Sequence, residues 1–173
     1  MSFLLQTPRL NIRPLTMSDF DYYFEVQGNA DLMHYIRKPE TNPDVVRERL
    51  AFFEQYAAQN PGLGSFVAEW KAGGDGPVAS CVLRRVEYQP ENDLELGYLV
   101  QRAHWGQGLA SEIAAALVDY SFGHFGAPRV TAFTDPDNHA SQRVLEKCGF
   151  RQTSLRFIYD SDNIEYILEN PAR

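Results

Sequence analysis

Residues 9–15, "RLNIRPL", alternate apolar and polar side chains, the two-residue period of a half-buried strand. Ser18 and Asp19 then stand where a helix cap is wanted. The pattern predicts a helix to about Gly28 and a short helical piece over "NADLMHYI". The proline-punctuated "KPETNPD" (38–44) reads as a loop. It contains Asn42, a capping residue, and Pro43, suited to a first helical position. In the helix that follows, Val46, Leu50, Phe53 and Ala57 recur three or four apart and form one apolar stripe.

Three strand-like runs come next: "SFVAEWKA" (65–72), "PVASCVLRRVEY" (77–88) and "DLELGYLVQ" (93–101). "GGDG" makes a hairpin turn between the first two, and "QPEN" separates the last two. A helix runs to about Phe122, with Leu109, Ile113, Leu117 and Tyr120 as its buried stripe, and "GHFGAP" ends it. "RVTAFTD" (129–135) is a strand, and "NHASQRVLEKC" (138–148) is a helix closed by Gly149. "FRQTSLRFIYD" and "NIEYILE" finish the chain as a hairpin around "SDN". The middle strands make an antiparallel meander, and the passage from 93 to 134 is a parallel crossover. The expectation is one α/β (α+β) domain over residues 1–173, with a mixed sheet and helices on its faces.

Composition narrows the function classes. With 44% apolar and 23% charged residues, the chain falls in the soluble globular class. No apolar run approaches the roughly 20 residues of a membrane span, and no signal peptide is read at the N-terminus. Cys81 and Cys148 read as buried free thiols in a reducing, cytoplasmic setting. Four histidines, none at ligand spacing from Cys or Asp/Glu, argue against a metal site. A net charge of −7 argues against general nucleic-acid binding and suits a cationic small substrate or basic peptide. The oligomeric state is not legible, and a homodimer is allowed.

The stretch "QRAHWGQGLASEIAAAL" (101–117) places Gly106 and Gly108 just before a strong helix. Free N–H groups and the positive dipole end converge at such a helix start, which favours a phosphate-bearing ligand. Ser111 adds a hydroxyl in the first turn. A P-loop needs a Gly-Lys-Ser/Thr ending, which is absent. A dinucleotide fingerprint would follow a first parallel strand, whereas here three antiparallel-looking strands precede the turn. The glycines alone also fit a plain loop that needs positive φ.

A second clue is "TDPDNHASQRVLEKCGF" (134–150), a strand end running into a helix at Asn138. The two strand–helix units, in this order, resemble the GNAT acetyltransferase superfamily. "WGQGLASE" resembles its acetyl-CoA pyrophosphate loop and "NHASQRVLEKCGF" its second cofactor motif. "TPRLNIRPLTMSDFD" and "ELGYLV" are similar to the branch of ribosomal-protein N-terminal acetyltransferases of RimJ/RimL type. The resemblance covers about Leu5 to Leu168. It implies a mostly antiparallel central sheet of six to seven strands with helices on both faces. It implies an acetyl-CoA-dependent N-acetyltransferase acting by direct transfer to a primary amine, a protein N-terminus or a small amine, in a ternary complex.

The resemblance also assigns residues. The family pattern Gln/Arg-x-x-Gly-x-Gly/Ala falls on Trp105, Gly108 and Ala110, with Trp105 a departure whose indole is expected to pack the loop. Cofactor contacts are implied for Leu99, Val100, Trp105, Gly106, Gln107, Gly108, Leu109, Ala110, Ser111, Asn138 and Arg143. Arg102 and Lys147 are further candidates for the 3′-phosphate. Glu95 matches the strand carboxylate that serves as base, usually through water. Gly97 suggests a bulge that splays this strand from the next, leaving the Leu99 N–H as oxyanion donor. The family's usual tyrosine acid is replaced by Leu145, which has no proton to give. Ser141, one turn earlier, is the expected partner of the leaving thiolate. Glu87, Glu91, Asp93, Glu95, Asp160, Asp162 and Glu165 are candidates for an acidic rim that attracts the amine. A non-catalytic CoA-binding module stays open as an alternative.

Overall fold

The structure is a computed structural model that describes residues 4–85 and 92–172. Among the described residues eight strands and five α-helices follow in the order β1 (Leu5–Gln6), β2 (Leu10–Pro14), α1 (Phe20–Gly28), α2 (Ala30–Met33), α3 (Pro43–Gln59), β3 (Gly64–Trp70), β4 (Ala79–Arg85), β5 (Leu94–Val100), α4 (Leu109–Phe125), β6 (Arg129–Thr134), α5 (His139–Lys147), β7 (Arg151–Ile158) and β8 (Ser161–Glu169). The strand count exceeds the expected six to seven, because Leu5–Gln6 pairs with Asn11–Ile12 and adds a short edge strand. The fold is α+β, with a mixed and mostly antiparallel sheet.

The chain forms two compact units, each drawn from separated segments. The first holds residues up to Val82 together with Tyr98–Gln107. Its strands run in the order β1-β2-β3-β4, joined by the end of β5, whose neighbour Gln101 donates its N–H to the Val78 carbonyl at 2.9 Å. β2 and β3 pair antiparallel from Leu10↔Trp70 to Pro14↔Phe66. The α3 stripe does what its spacing requires: Val46 and Leu50 are buried with Leu15, Tyr23 and Val67, and Phe53 packs against them. Asn42 caps α3 through its side chain, with Pro43 leading, as the sequence predicts.

The start of α1 differs from expectation. Asp19 does not cap it with a side-chain bond. It belongs instead to a capping box with Thr16 around the 3-10 turn Met17–Asp19 and receives both guanidinium arms of Arg13, at 2.8 and 2.7 Å. Arg13 also reaches Glu69 at 2.6 Å. Burial pushes the Asp19 carboxyl up, but the Arg13 and Thr16 hydrogen bonds outweigh it and hold the group below the ordinary carboxylate range.

The second unit holds Leu83–Gly97 and the residues from Gly108 on. Its strand order is β4-β5-β6-β8-β7. The β5–β6 pair is parallel, as the crossover requires, and β6–β8 and β7–β8 are antiparallel. Leu109, Ile113 and Leu117 of α4 are buried with Val130, Ala132, Leu145 and Tyr166. Among the described residues no helix is long and apolar enough to cross a membrane.

Candidate active site

β5 and β6 pair only at Leu94↔Val130 and Glu95↔Thr131, although β6 runs on to Thr134 against β8. Pairing thus stops before Gly97, where the sequence predicts a splay. Parallel pairing puts Glu95 and Thr131 on one sheet face, and the two-residue period adds Phe133 to it. Tyr166 lies on the opposite face and its hydroxyl donates to Glu146 of α5 at 3.4 Å. Ser141 and Leu145, carried by α5, therefore belong to the other side of the sheet from Glu95.

Glu95 is only 5% exposed and its carboxylate is doubly engaged. Arg84 donates to Oε1 at 2.8 Å, and the Tyr159 hydroxyl donates to Oε2 at 2.5 Å. Arg84 also donates to the Tyr159 oxygen at 2.6 Å and places its guanidinium 5.0 Å from that ring's centroid. The ring meets Phe133 edge-on at 6.1 Å. Neither Arg84 nor this role for Tyr159 was legible in the sequence, since both depend on partners 11 and 64 residues from Glu95.

Tyr159 reaches this place from an unusual backbone. The β7–β8 turn is Tyr159–Asp160, with φ of 57° and 62°, rather than the expected "SDN". Two consecutive left-handed residues are the primed hairpin turn that matches strand twist, which ordinarily takes Asn-Gly. Asn163, predicted as turn, braces it by donating to the carbonyls of Ile158 at 3.0 Å and Ser161 at 3.3 Å.

At the β5–α4 connection Gly106 and Gly108 have φ of 75° and 76°. Gly108 is the N-cap of α4 and supplies no side chain to its first turn. The helix's first hydrogen bond runs from the Glu112 N–H to the Gly108 carbonyl at 3.1 Å, so the helix itself does not use the N–H groups of Leu109, Ala110 and Ser111. The Trp105 indole donates to the Val100 carbonyl at 2.7 Å and so ties the loop, while its ring stays 54% exposed. Arg102 is ion-paired with Asp31.

Asn138 caps α5 by accepting from the Ser141 N–H at 3.1 Å. Ser141 is half-buried, Leu145 is buried, and Arg143 and Lys147 are exposed. The buried Thr134 hydroxyl of the second unit has no partner among the described residues. Neither cysteine is poised as a nucleophile. Burial pushes the Cys81 thiol up to about 12 and raises that of Cys148, which is half-buried rather than buried as expected.

The acidic rim needs correction. Asp93 is buried and paired with Arg129 at 2.5 Å. Glu165 is 2% exposed and accepts from Thr153 at 2.7 Å, Ser154 at 3.2 Å and Arg156 at 3.2 Å. Both are committed to internal partners. Asp160 and Asp162 are exposed, while Glu87 and Glu91 lie outside the described residues.

This arrangement coincides with the comparisons to known proteins. The profile of the acetyltransferase (GNAT) domain matches residues 9–151. The chain belongs to the GNAT acetyltransferase family. It is an N-acetyltransferase that uses acetyl-CoA. An uncharacterized N-acetyltransferase, p20, of Bacillus licheniformis is 25% identical over 157 residues, covering 90% of this chain and 86% of that one. A GNAT acetyltransferase of Bacillus anthracis has a solved structure similar at a TM-score of 0.79, with 25% identity over 98% of this chain and 99% of its own. The spermidine N-acetyltransferase of Vibrio cholerae, solved with CoA and spermine, shares the fold at a TM-score of 0.77 and 19% identity, covering 93% and 95% of the two chains.

Proposed function

We propose that this single catalytic domain transfers acetyl from acetyl-CoA directly to a primary amine in a ternary complex. The observation that carries the reading is a helix that opens on left-handed Gly108 with no side-chain cap, in a chain that matches the acetyltransferase family. Backbone N–H groups from Gly106 through Ser111 hold the pyrophosphate, the Trp105 N–H being taken by the Arg102 carbonyl, and a side-chain cap there would compete with it. Leu99 and Val100 serve the pantetheine arm and thioester carbonyl, and Asn138 and Arg143 complete the cofactor contacts. The unpartnered Thr134 hydroxyl, at the end of the strand leading to Asn138, is suited to a cofactor amide.

The acceptor must be neutral to attack, and an alkylammonium has a pKa of about 10. Glu95 is the sink for its proton. Ser141 meets the thiolate as it leaves, in place of the hydroxyl that Leu145 lacks. The openings "TPRLNIRPLTMSDFD" and "ELGYLV" support a RimJ/RimL-like branch and a protein N-terminus as acceptor. The likeness to a spermidine acetyltransferase and the exposed Asp160 and Asp162 support a cationic small amine. The chemistry common to both is a primary amine carried on a cationic partner.

The test is release of CoA thiol from acetyl-CoA with spermidine and with short peptides bearing a free N-terminal serine or alanine. Turnover with either is expected, and tight CoA binding without turnover on any amine would overturn the reading. Calorimetry should show CoA bound far more tightly than NAD or ATP. Ser141→Ala should lower kcat roughly 10- to 1000-fold with little change in cofactor KM. Normal turnover in Ser141→Ala would remove the serine from the reaction.

A further inference from the structure

The carboxylate expected to take the amine's proton is not the outermost group of its own cluster. Glu95 is 5% exposed, and both of its oxygens already accept hydrogen bonds, from Arg84 and from Tyr159. Tyr159 is 46% exposed where Glu95 is 5% exposed, so the tyrosine is the more accessible member of the hydrogen-bonded pair. The phenol's direction is set twice over. It donates to Glu95 Oε2, while Arg84 donates to its oxygen and lies over its ring.

The backbone points the same way. Tyr159 is held at φ 57°, a conformation that costs a large side chain energy. A glycine or asparagine would suit this turn better. Strain of this kind persists where the surroundings over-determine it, and functional sites are where it gathers. Here the surroundings that hold it are Arg84, Glu95 and Phe133.

We infer that the Tyr159 phenol, rather than the Glu95 carboxylate itself, takes the proton of the acceptor amine and hands its own to Glu95. The inference rests on the acetyltransferase reading of this site and names the group that touches the amine. In the step, which begins once the ammonium has given one proton to water, the neutral amine nitrogen bonds to the acetyl carbon and the carbon–sulfur bond breaks, its electron pair leaving as the CoA thiolate. The nitrogen's N–H bond breaks and a new O–H bond forms on Tyr159. The original Tyr159 O–H breaks and its proton goes to Glu95 Oε2. The phenol is unchanged, Glu95 gains one proton, and that proton returns to water after the amide leaves. Tyr159 is the catalytic residue in contact with the amine. Arg84 and Glu95 act through it, Arg84 by positioning and Glu95 as the proton's destination.

The test compares the full chain with Tyr159→Phe, Glu95→Gln and the double variant, using acetyl-CoA and whichever of spermidine or an N-terminal peptide turns over. CoA affinity by calorimetry and the thermal midpoint report that each variant is folded. Tyr159→Phe should lower kcat/KM by about 10²–10⁴, the range for losing a positioned proton acceptor, with CoA affinity unchanged. Its rising limb of the pH profile should move to higher pH as that of Glu95→Gln does, with partial recovery at high pH. The double variant should be no worse than the worse single one, because the two groups act as one unit. A folded Tyr159→Phe that keeps its rate within about threefold and retains the limb would overturn the inference while leaving the acetyltransferase reading intact. Wild-type protein that turns over no amine would overturn that reading, and the relay with it.

Discussion

At the β5–α4 connection the left-handed positions are Gly106 and Gly108, and at the β7–β8 turn they are Tyr159 and Asp160. The backbone takes nearly the same φ at all four. At the first, glycine carries no side chain, and on the proposed reading the main-chain N–H groups are what meets the cofactor. At the second, the chain bears a strained tyrosine, and the side chain is what the turn presents to Glu95. On the proposed reading, one turn serves cofactor binding through the backbone and the other proton transfer through a phenol. The two should therefore answer to mutation in different kinetic terms.

The largest effect comes from putting glycine into the tyrosine turn. Tyr159→Gly should cut kcat/KM by about 10²–10⁴ while CoA affinity holds. Relief of the left-handed side chain, about 1 kcal/mol, is opposed by the extra freedom of glycine in the unfolded chain, about 0.5–1 kcal/mol, and by the buried Glu95 losing a hydrogen-bond donor, about 1–3 kcal/mol. The thermal midpoint should then fall by several degrees. Retained activity measured by thiol release would mean that the turn keeps its tyrosine for packing alone.

The converse swap puts a branched side chain into the glycine turn. Gly108→Val forces a β-branched residue to φ 76°, at a cost of about 1–3 kcal/mol that the loop escapes only by moving. The CoA dissociation constant should rise about 5- to 150-fold, the same energy read as binding. At saturating acetyl-CoA the pH profile should keep its rising limb. Unchanged CoA affinity in a folded Gly108→Val protein would remove this loop from the cofactor site.

The two turns also differ in how readable they were. Glycine before an alanine-rich helix is a local signal, and so are Asn42–Pro43 at the head of α3 and the apolar stripes of α3 and α4. Each depends on neighbours within a turn of helix. Ser, Asp and Asn are turn formers and draw the expected hairpin onto "SDN", whereas the turn is occupied by Tyr159, hydrogen-bonded to a carboxylate 64 residues away. The charged residues carry the same lesson. Asp93 and Glu165 look like rim charges until Arg129 and Arg156 are placed beside them. Asp19 looks like a helix cap until Arg13 arrives from β2. Local propensity forecasts where elements start and stop; it does not forecast which buried charge finds which partner.

Gly106→Ala isolates the backbone contribution. A methyl group there would meet nothing within 4 Å, so packing neither resists nor rewards it. The cost should be the left-handed backbone alone, about 1 kcal/mol, or roughly 2–4 °C in the thermal midpoint for a chain of this size. CoA affinity should fall less than in Gly108→Val. A larger loss of affinity than of stability would mean that the Gly106 conformation itself, not only its N–H neighbours, is what the phosphate requires.

The smallest effect tests whether the tyrosine turn is strained at both of its positions. Asp160 sits at φ 62°, where glycine is the preferred second residue of a primed turn. Two contributions oppose each other in Asp160→Gly. Relief of the left-handed side chain stabilises by about 1 kcal/mol, and the extra freedom of glycine in the unfolded chain costs about half of that or somewhat more. The net gain should be about 0.5 kcal/mol, a rise of roughly 1–2 °C by calorimetry. A fall in the midpoint would show that the backbone here is not strained, and the contrast with the glycine turn would fail at this residue. The acceptor's KM separates strain from charge. Asp160 is exposed, and a carboxylate that draws a cationic amine acts over a distance that salt screens. If KM for spermidine rises several-fold at low salt and the difference vanishes at high salt, Asp160 steers the acceptor. If KM is unmoved at both, Tyr159 is the only side chain through which this turn acts on the reaction.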